Sequence, residues 1–158
     1  MTRHSSNLAH SPIKTVLRAT LGYLAWLQAL VAMAGSLYFS EVLGFIPCSL
    51  CWYQRILMYP LVAILAMGIL LRDQRMRYYV LPLSLTGFLV ALYHNLLTWG
   101  IISEGIVPCT AGVSCTVEWI NWFGFITIPL LSLIAFSVIT LSMIFYQQEE
   151  LLEELTDD

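Results

Sequence analysis

The chain has 158 residues, of which 59% are hydrophobic and 11% charged, with a formal net charge of -3. Soluble domains carry about 45–50% apolar and about 25% charged residues, and one domain of this length cannot bury so much apolar surface, so many of these side chains must face lipid. No basic patch interleaved with aromatics points to nucleic acid.

A bilayer core of about 30 Å needs roughly 20 apolar helical residues, and four stretches of that kind follow one another. After a tail over 1–16, the first span is predicted at about 17–39, where Leu21 to Phe39 carries no Asp, Glu, Lys or Arg. Arg18, the apolar run and "AMAG" (Ala32 to Gly35) also resemble a cleaved signal peptide. The run continues to Phe39, longer than most signal sequences, and is read as a retained span. An outer loop over 40–51 leads to a second span at about 52–71, with Arg55 in its first turn. The third span is predicted at about 78–99, followed by a loop over 100–121 and a fourth span at about 122–146. The acidic tail over 147–158 is expected to stay solvated rather than form a short amphipathic helix around Leu151, Leu152 and Leu155. Short links make an all-α, antiparallel four-helix membrane bundle the expected fold, as a single domain over 1–158.

Basic residues set the orientation. Arg3, Lys14 and Arg18 precede the uncharged stretch of the first span, and Arg72, Arg75 and Arg77 join the second to the third, so six of the seven basic residues share one side. Both termini are therefore predicted to be cytoplasmic. The opposite loops carry Glu41, Glu104 and Glu118, with Arg55 alone at their edge.

All four cysteines fall towards that opposite side: Cys48 and Cys51 in "IPCSLCWYQR", Cys109 and Cys115 in "VPCTAGVSC". Thiols placed this way suit an oxidising compartment. Four cysteines allow three pairings. Local pairing closes very small loops, which restrict the unfolded chain little; such bonds staple weakly and suit the storage of electron pairs. Inert loop disulfides and a four-thiolate zinc site are the alternatives. The C-x5-C spacing and the lack of a second C-x2-C speak against zinc, and no metal is expected. Pro47 and Pro108 precede the pairs and restrict the backbone at each.

Arg55 lies four residues beyond Cys51, about 6 Å along a helix and on the same face. A helix N-terminus and a permanent cation both favour a thiolate, and the cation can equally hold an electron-rich ligand oxygen. The plainer reading is an arginine reaching lipid headgroups. His94, in "ALYHNLLTWG", is the one ionisable side chain of the third span apart from tyrosines, about 8 Å below the surface if that span ends near Trp99. Its depth makes it a functional candidate. Trp52, Tyr53, Trp99, Trp119 and Trp122 read mainly as interfacial belt residues. A small transporter or assembly factor with purely structural disulfides is a competing class. Transporters usually carry acidic coupling residues in mid-membrane, and none occurs in these spans.

Taken together, "PCSLCWYQR", "PCTAGVSC" and the intervening "YHN" resemble the DsbB/BdbC family of quinone-dependent membrane disulfide oxidoreductases, across the whole four-span layout. The C-x5-C spacing is closer to the BdbC branch, since the DsbB type has a much longer second loop. Vitamin K epoxide reductase-like proteins also use four helices and two cysteine pairs, but their C-x-x-C comes late in the chain. The resemblance implies disulfides Cys48–Cys51 and Cys109–Cys115, all four cysteines being catalytic. An extracytoplasmic thioredoxin-fold partner would exchange with Cys109, and electrons would pass to Cys48–Cys51. A membrane quinone (ubiquinone or menaquinone) near Arg55 and His94 would receive them, in contact with Cys51. It further implies a multi-pass protein of the bacterial cell membrane, its cysteine loops extracytoplasmic, that supports disulfide formation in exported proteins.

Overall fold

A computed structural model describes residues 12–73, 75–102, 114–115 and 127–157, with side chains described between 16 and 146. Cys109, Glu104, Glu118, Trp119, Trp122 and Arg3 lie outside the described residues. Four long helices account for nearly all of the described chain, with no strand among the described residues: α1 (Pro12–Leu37), α2 (Ser49–Leu71), α3 (Met76–Thr98) and α4 (Ile128–Asp157). Successive helices pack side by side and α4 returns against α1, so the bundle closes into a ring. Each helix contains a stretch long and apolar enough to cross a bilayer.

The ends of these helices follow from local chemistry. Pro12 opens α1, where its missing N–H costs nothing. A π-helical turn, Tyr38–Val42, then widens the end of α1 before the chain leaves it. Cys48 caps α2: its backbone is extended and its sulfur accepts from the Cys51 N–H at 3.4 Å. Thr127 Oγ1 accepts from the Leu130 N–H at 3.4 Å and starts α4. Between α2 and α3, Arg72 adopts a left-handed conformation (φ 50°) and its N–H returns to Gly68 and Ile69. The next N–H, of Asp73, bonds the Gly68 carbonyl at 2.9 Å, a helix-ending pattern that satisfies otherwise orphaned carbonyls.

Inside the ring, Ala25, Ala29, Leu61, Leu65, Val80, Phe136 and Ile139 form a core with no exposed surface. Small residues let the helices approach: a Cβ built on Gly87 would collide with the Phe136 ring, so α3 and α4 meet there because position 87 is bare. Thr140 donates to Ser84 at 3.2 Å across the same pair, a polar contact typical of helices packed in lipid. Large apolar side chains also stand on the outside, with Leu70 76% and Leu71 70% exposed. A water-facing surface would not tolerate this on every helix; a lipid-facing one requires it. The protein is therefore an all-α, four-helix, multi-pass membrane protein.

One expectation for the tail differs from the structure. α4 does not end with its apolar stretch at Tyr146 but runs on as helix to Asp157. "QQEELLEEL" consists of strong helix formers with no glycine or proline to stop propagation, so the helix already nucleated in the bundle simply extends.

Candidate functional site

The N-terminal end of α2 meets the C-terminal ends of α1 and α3 and the start of α4, and five of the residues singled out in the sequence converge there. Pro47 restricts the approach of the chain to Cys48, which caps the helix from outside it. Cys51, three residues later, lies in the first turn of α2, one step inside the boundary drawn for the outer loop at 51. The two sulfurs are 3.0 Å apart and both thiols are free. Cys48 precedes the membrane-spanning segment, and its pKa lies well below the usual thiol range. The hydrogen bond from the Cys51 thiol is the largest cause, opposed by burial and reinforced by His94.

Positions 51, 54 and 55 share one face of α2, because residues three and four apart are neighbours on a helix. Arg55 turns towards α1, where its Nη2 donates to the Ser36 carbonyl at 3.0 Å, and its guanidinium lies 5.6 Å from the centre of the Trp52 ring. Gln54 is buried and turns towards α3, its Nε2 lying 3.2 Å from His94 Nδ1. His94 is only 2% exposed. Its other nitrogen, Nε2, sits 3.8 Å from Cys48 Sγ and 3.2 Å from the Cys115 carbonyl oxygen. Cys115 is disulfide-bonded and packs in one buried cluster with Cys48, Leu50 and Leu97. Of the residues singled out in the sequence, Cys48, Cys51, Arg55, His94 and Cys115 are thus brought together, while Cys109 lies outside the described residues.

These groups line one end of a cavity of about 340 Å³ that continues between the helices. The deeper walls include Val31, Met58, Ile134 and Ala135, with Gln28 the polar group contributed by mid-α1. A volume of this order accommodates a small organic ring system. Its chemistry is divided: sulfur and cation at the membrane boundary, hydrocarbon towards the bilayer centre. Cys48, Cys51 and His94 also bring three potential metal-ligand atoms within 4.8 Å of one another. The ring nitrogen that faces them also faces a carbonyl, and a metal-ligating role would require it to give up that bond.

Two residues to which the sequence reading gave no role are part of this arrangement. Gln54 is the polar neighbour of His94, and its spacing from Cys51 carried the signal. Asn95 has no exposed surface, and its Nδ2 donates to Ala91 at 2.8 Å and to Pro129 at 2.9 Å. It ties α3 to the first turn of α4 directly beneath the site. Its polarity inside an apolar helix was the available clue.

The geometry can be set beside known proteins. Residues 18–146 match the family described as disulfide bond formation protein DsbB. The chain is 52% identical over 128 residues to disulfide bond formation protein C of Bacillus subtilis (strain 168), covering 81% of this chain and 93% of that protein. A probable disulfide formation protein C from Halalkalibacterium halodurans is 50% identical over 115 residues, covering 73% and 84%. A probable disulfide formation protein from Deinococcus radiodurans is 47% identical over 131 residues, covering 77% and 85%. No solved structure matches. With the match spanning all four apolar helices and a free C-x-x-C at their shared end, this chain belongs to the DsbB family of membrane disulfide bond formation proteins.

Proposed function

We propose that the protein is a membrane thiol-disulfide oxidoreductase that reoxidises an extracytoplasmic thioredoxin-fold partner and delivers the electrons to a membrane quinone, so sustaining disulfide formation in exported proteins. The observation that carries this reading is the position of Cys48 and Cys51: they sit at the lip of a cavity reaching into the membrane, with Arg55 beside them and disulfide-bonded Cys115 buried against Cys48. Electron input from a soluble protein needs sulfur outside the membrane. Electron output to a lipid-soluble acceptor needs sulfur at a hydrocarbon-walled site.

Family likeness pairs disulfide-bonded Cys115 with Cys109, and the free thiols of Cys48 and Cys51 are compatible with that pairing. A thiolate of the reduced partner attacks Cys109, the sulfur assigned by family likeness, and the resulting mixed disulfide resolves to oxidised partner and reduced Cys109 and Cys115. Those two thiols then reduce the Cys48–Cys51 disulfide. Thiolate is the attacking species throughout, and once the Cys48–Cys51 pair is reduced the Cys51 N–H, 3.4 Å from Cys48 Sγ, favours that form of Cys48. A quinone bound in the cavity supplies the capacity to take up two electrons and two protons. The residues present fit such a ligand: Arg55 offers a permanent positive charge to a carbonyl oxygen, Cys51 reaches the same space, and the apolar walls accommodate ring and tail. The same orientation places the cysteine end outside and both termini with Arg72, Arg75 and Arg77 in the cytoplasm of a bacterial cell.

Purified protein mixed with a reduced thioredoxin-fold donor and a short-chain quinone is expected to oxidise one donor dithiol for each quinone reduced. Cys48→Ser should stop both reactions. Continued turnover in that variant would sink the relay.

A further inference from the structure

His94 lines the cavity, yet both its ring nitrogens are engaged by the protein itself. A carbonyl oxygen can only accept, so the nitrogen 3.2 Å from the Cys115 carbonyl, Nε2, carries the hydrogen. Nδ1 is then the bare acceptor of the neutral ring, and the Gln54 amide N–H donates to it over 3.2 Å. The set is self-consistent: the buried amide fixes the tautomer, and the tautomer fixes the donor that faces the cysteines. The same Nε2 lies 3.8 Å from Cys48 Sγ. One ring therefore touches the main chain of one redox pair and the sulfur of the other.

We infer that His94, held in this tautomer by Gln54, is a positioning residue that docks the Cys115 turn against Cys48 for sulfur exchange, and is not a ligand of the electron acceptor. The inference rests on the relay proposed above and assigns His94 and Gln54 a part in its exchange between the two cysteine pairs. The Cys115 thiolate attacks Cys48 Sγ; the Cys48–Cys115 bond forms, the Cys48–Cys51 bond breaks, and its electron pair leaves on Cys51 as thiolate. The Cys109 thiolate then attacks Cys115, forming Cys109–Cys115 and releasing Cys48 as thiolate. Two electrons have moved from the outer pair to the inner one. In the second step the nitrogen donor beside Cys48 gains a charged acceptor, a stronger partner than a neutral carbonyl, so Nε2–H is placed to hold the peptide before exchange and to receive the leaving sulfur after it.

The test needs no quinone. In Cys51→Ser/Cys109→Ser protein only Cys48 and Cys115 remain, and equilibration with a glutathione redox buffer measures their effective concentration. Adding His94→Ala is expected to lower that value about tenfold, the worth of roughly one hydrogen bond, and Gln54→Leu should lower it in the same direction. His94→Gln, which keeps a donor, should recover part of the loss. In protein with all four cysteines, His94→Ala should leave the KM for a short-chain quinone unchanged. An unchanged effective concentration overturns the proposal, and so does a raised quinone KM, which would return His94 to the acceptor. If no variant, including the parent, turns over quinone, the relay itself fails while the glutathione measurement still reads the clamp.

Discussion

At the scale of single residues, the site depends on what surrounds two sulfurs. Cys48 is both the cap of α2 and, in the proposed relay, a redox group, and its pKa is lowered to about 4, first by the Cys51 thiol. A depressed pKa means the thiolate persists above the folded value and is lost only as pH falls through it. In reduced protein, alkylation of Cys48 by iodoacetamide should remain fast near pH 6, where an ordinary thiol of pKa about 8.5 is almost wholly protonated. Protection of Cys48 at that pH, lifted only in alkali, would contradict this. In the proposed relay Arg55 acts on the acceptor side. Arg55→Ala is expected to raise the KM for quinone about tenfold or more, consistent with loss of a charge-assisted contact, while the KM for the dithiol partner stays within about twofold. Steady-state kinetics with each substrate varied in turn separates the two. The C-x-x-C, the arginine one turn on and the buried histidine could all be recognised in the sequence, because each is an unusual residue type in an apolar context. Gln54 and Asn95 were not. Their roles come from partners 40 and 34 residues away, and no local pattern encodes such a pairing.

At the scale of elements, helix packing explains how these side chains stay in place. Gly87 allows the Phe136 ring to lie against α3. Gly87→Ala should therefore force the two helices apart and cost about 1–3 kcal/mol, read as a lower midpoint in thermal unfolding of detergent-solubilised protein. Asn95→Ala should cost about 1–3 kcal/mol, because it removes the buried side-chain hydrogen bond that ties α3 to Pro129 of α4. The link between α2 and α3 is tied differently. Tyr79 donates to Asp73 Oδ2 at 2.6 Å, and the Arg75 N–H bonds Asp73 Oδ1 at 2.8 Å. The hydrogen bond from Tyr79 lowers the Asp73 pKa, so its contribution is present above the ordinary carboxylate range and is lost as pH falls below it. The existence and order of the helices were legible from apolar runs of bilayer length. Their ends were less so: the π-helical turn after Leu37 and the cap provided by a cysteine arise from contacts and backbone geometry that hydropathy does not register.

For the whole molecule, four helices close into a ring whose described outer face carries many large apolar side chains. This inversion of a soluble protein was evident in composition alone. The proposed orientation makes a direct statement about access. In intact cells treated with reductant, Cys109 should react with a membrane-impermeant maleimide, whereas an Arg75→Cys variant should react only after permeabilisation. The opposite pattern would reverse the assignment of sides. α4 carries a further consequence. Its helix runs 11 residues beyond the apolar stretch, from Tyr146 to Asp157, about 16 Å at 1.5 Å per residue. A helical fusion partner spliced in register onto that end would be held at a fixed rotation about the bundle, giving a 17.9 kDa protein the rigid fiducial that single-particle imaging of so small a target demands.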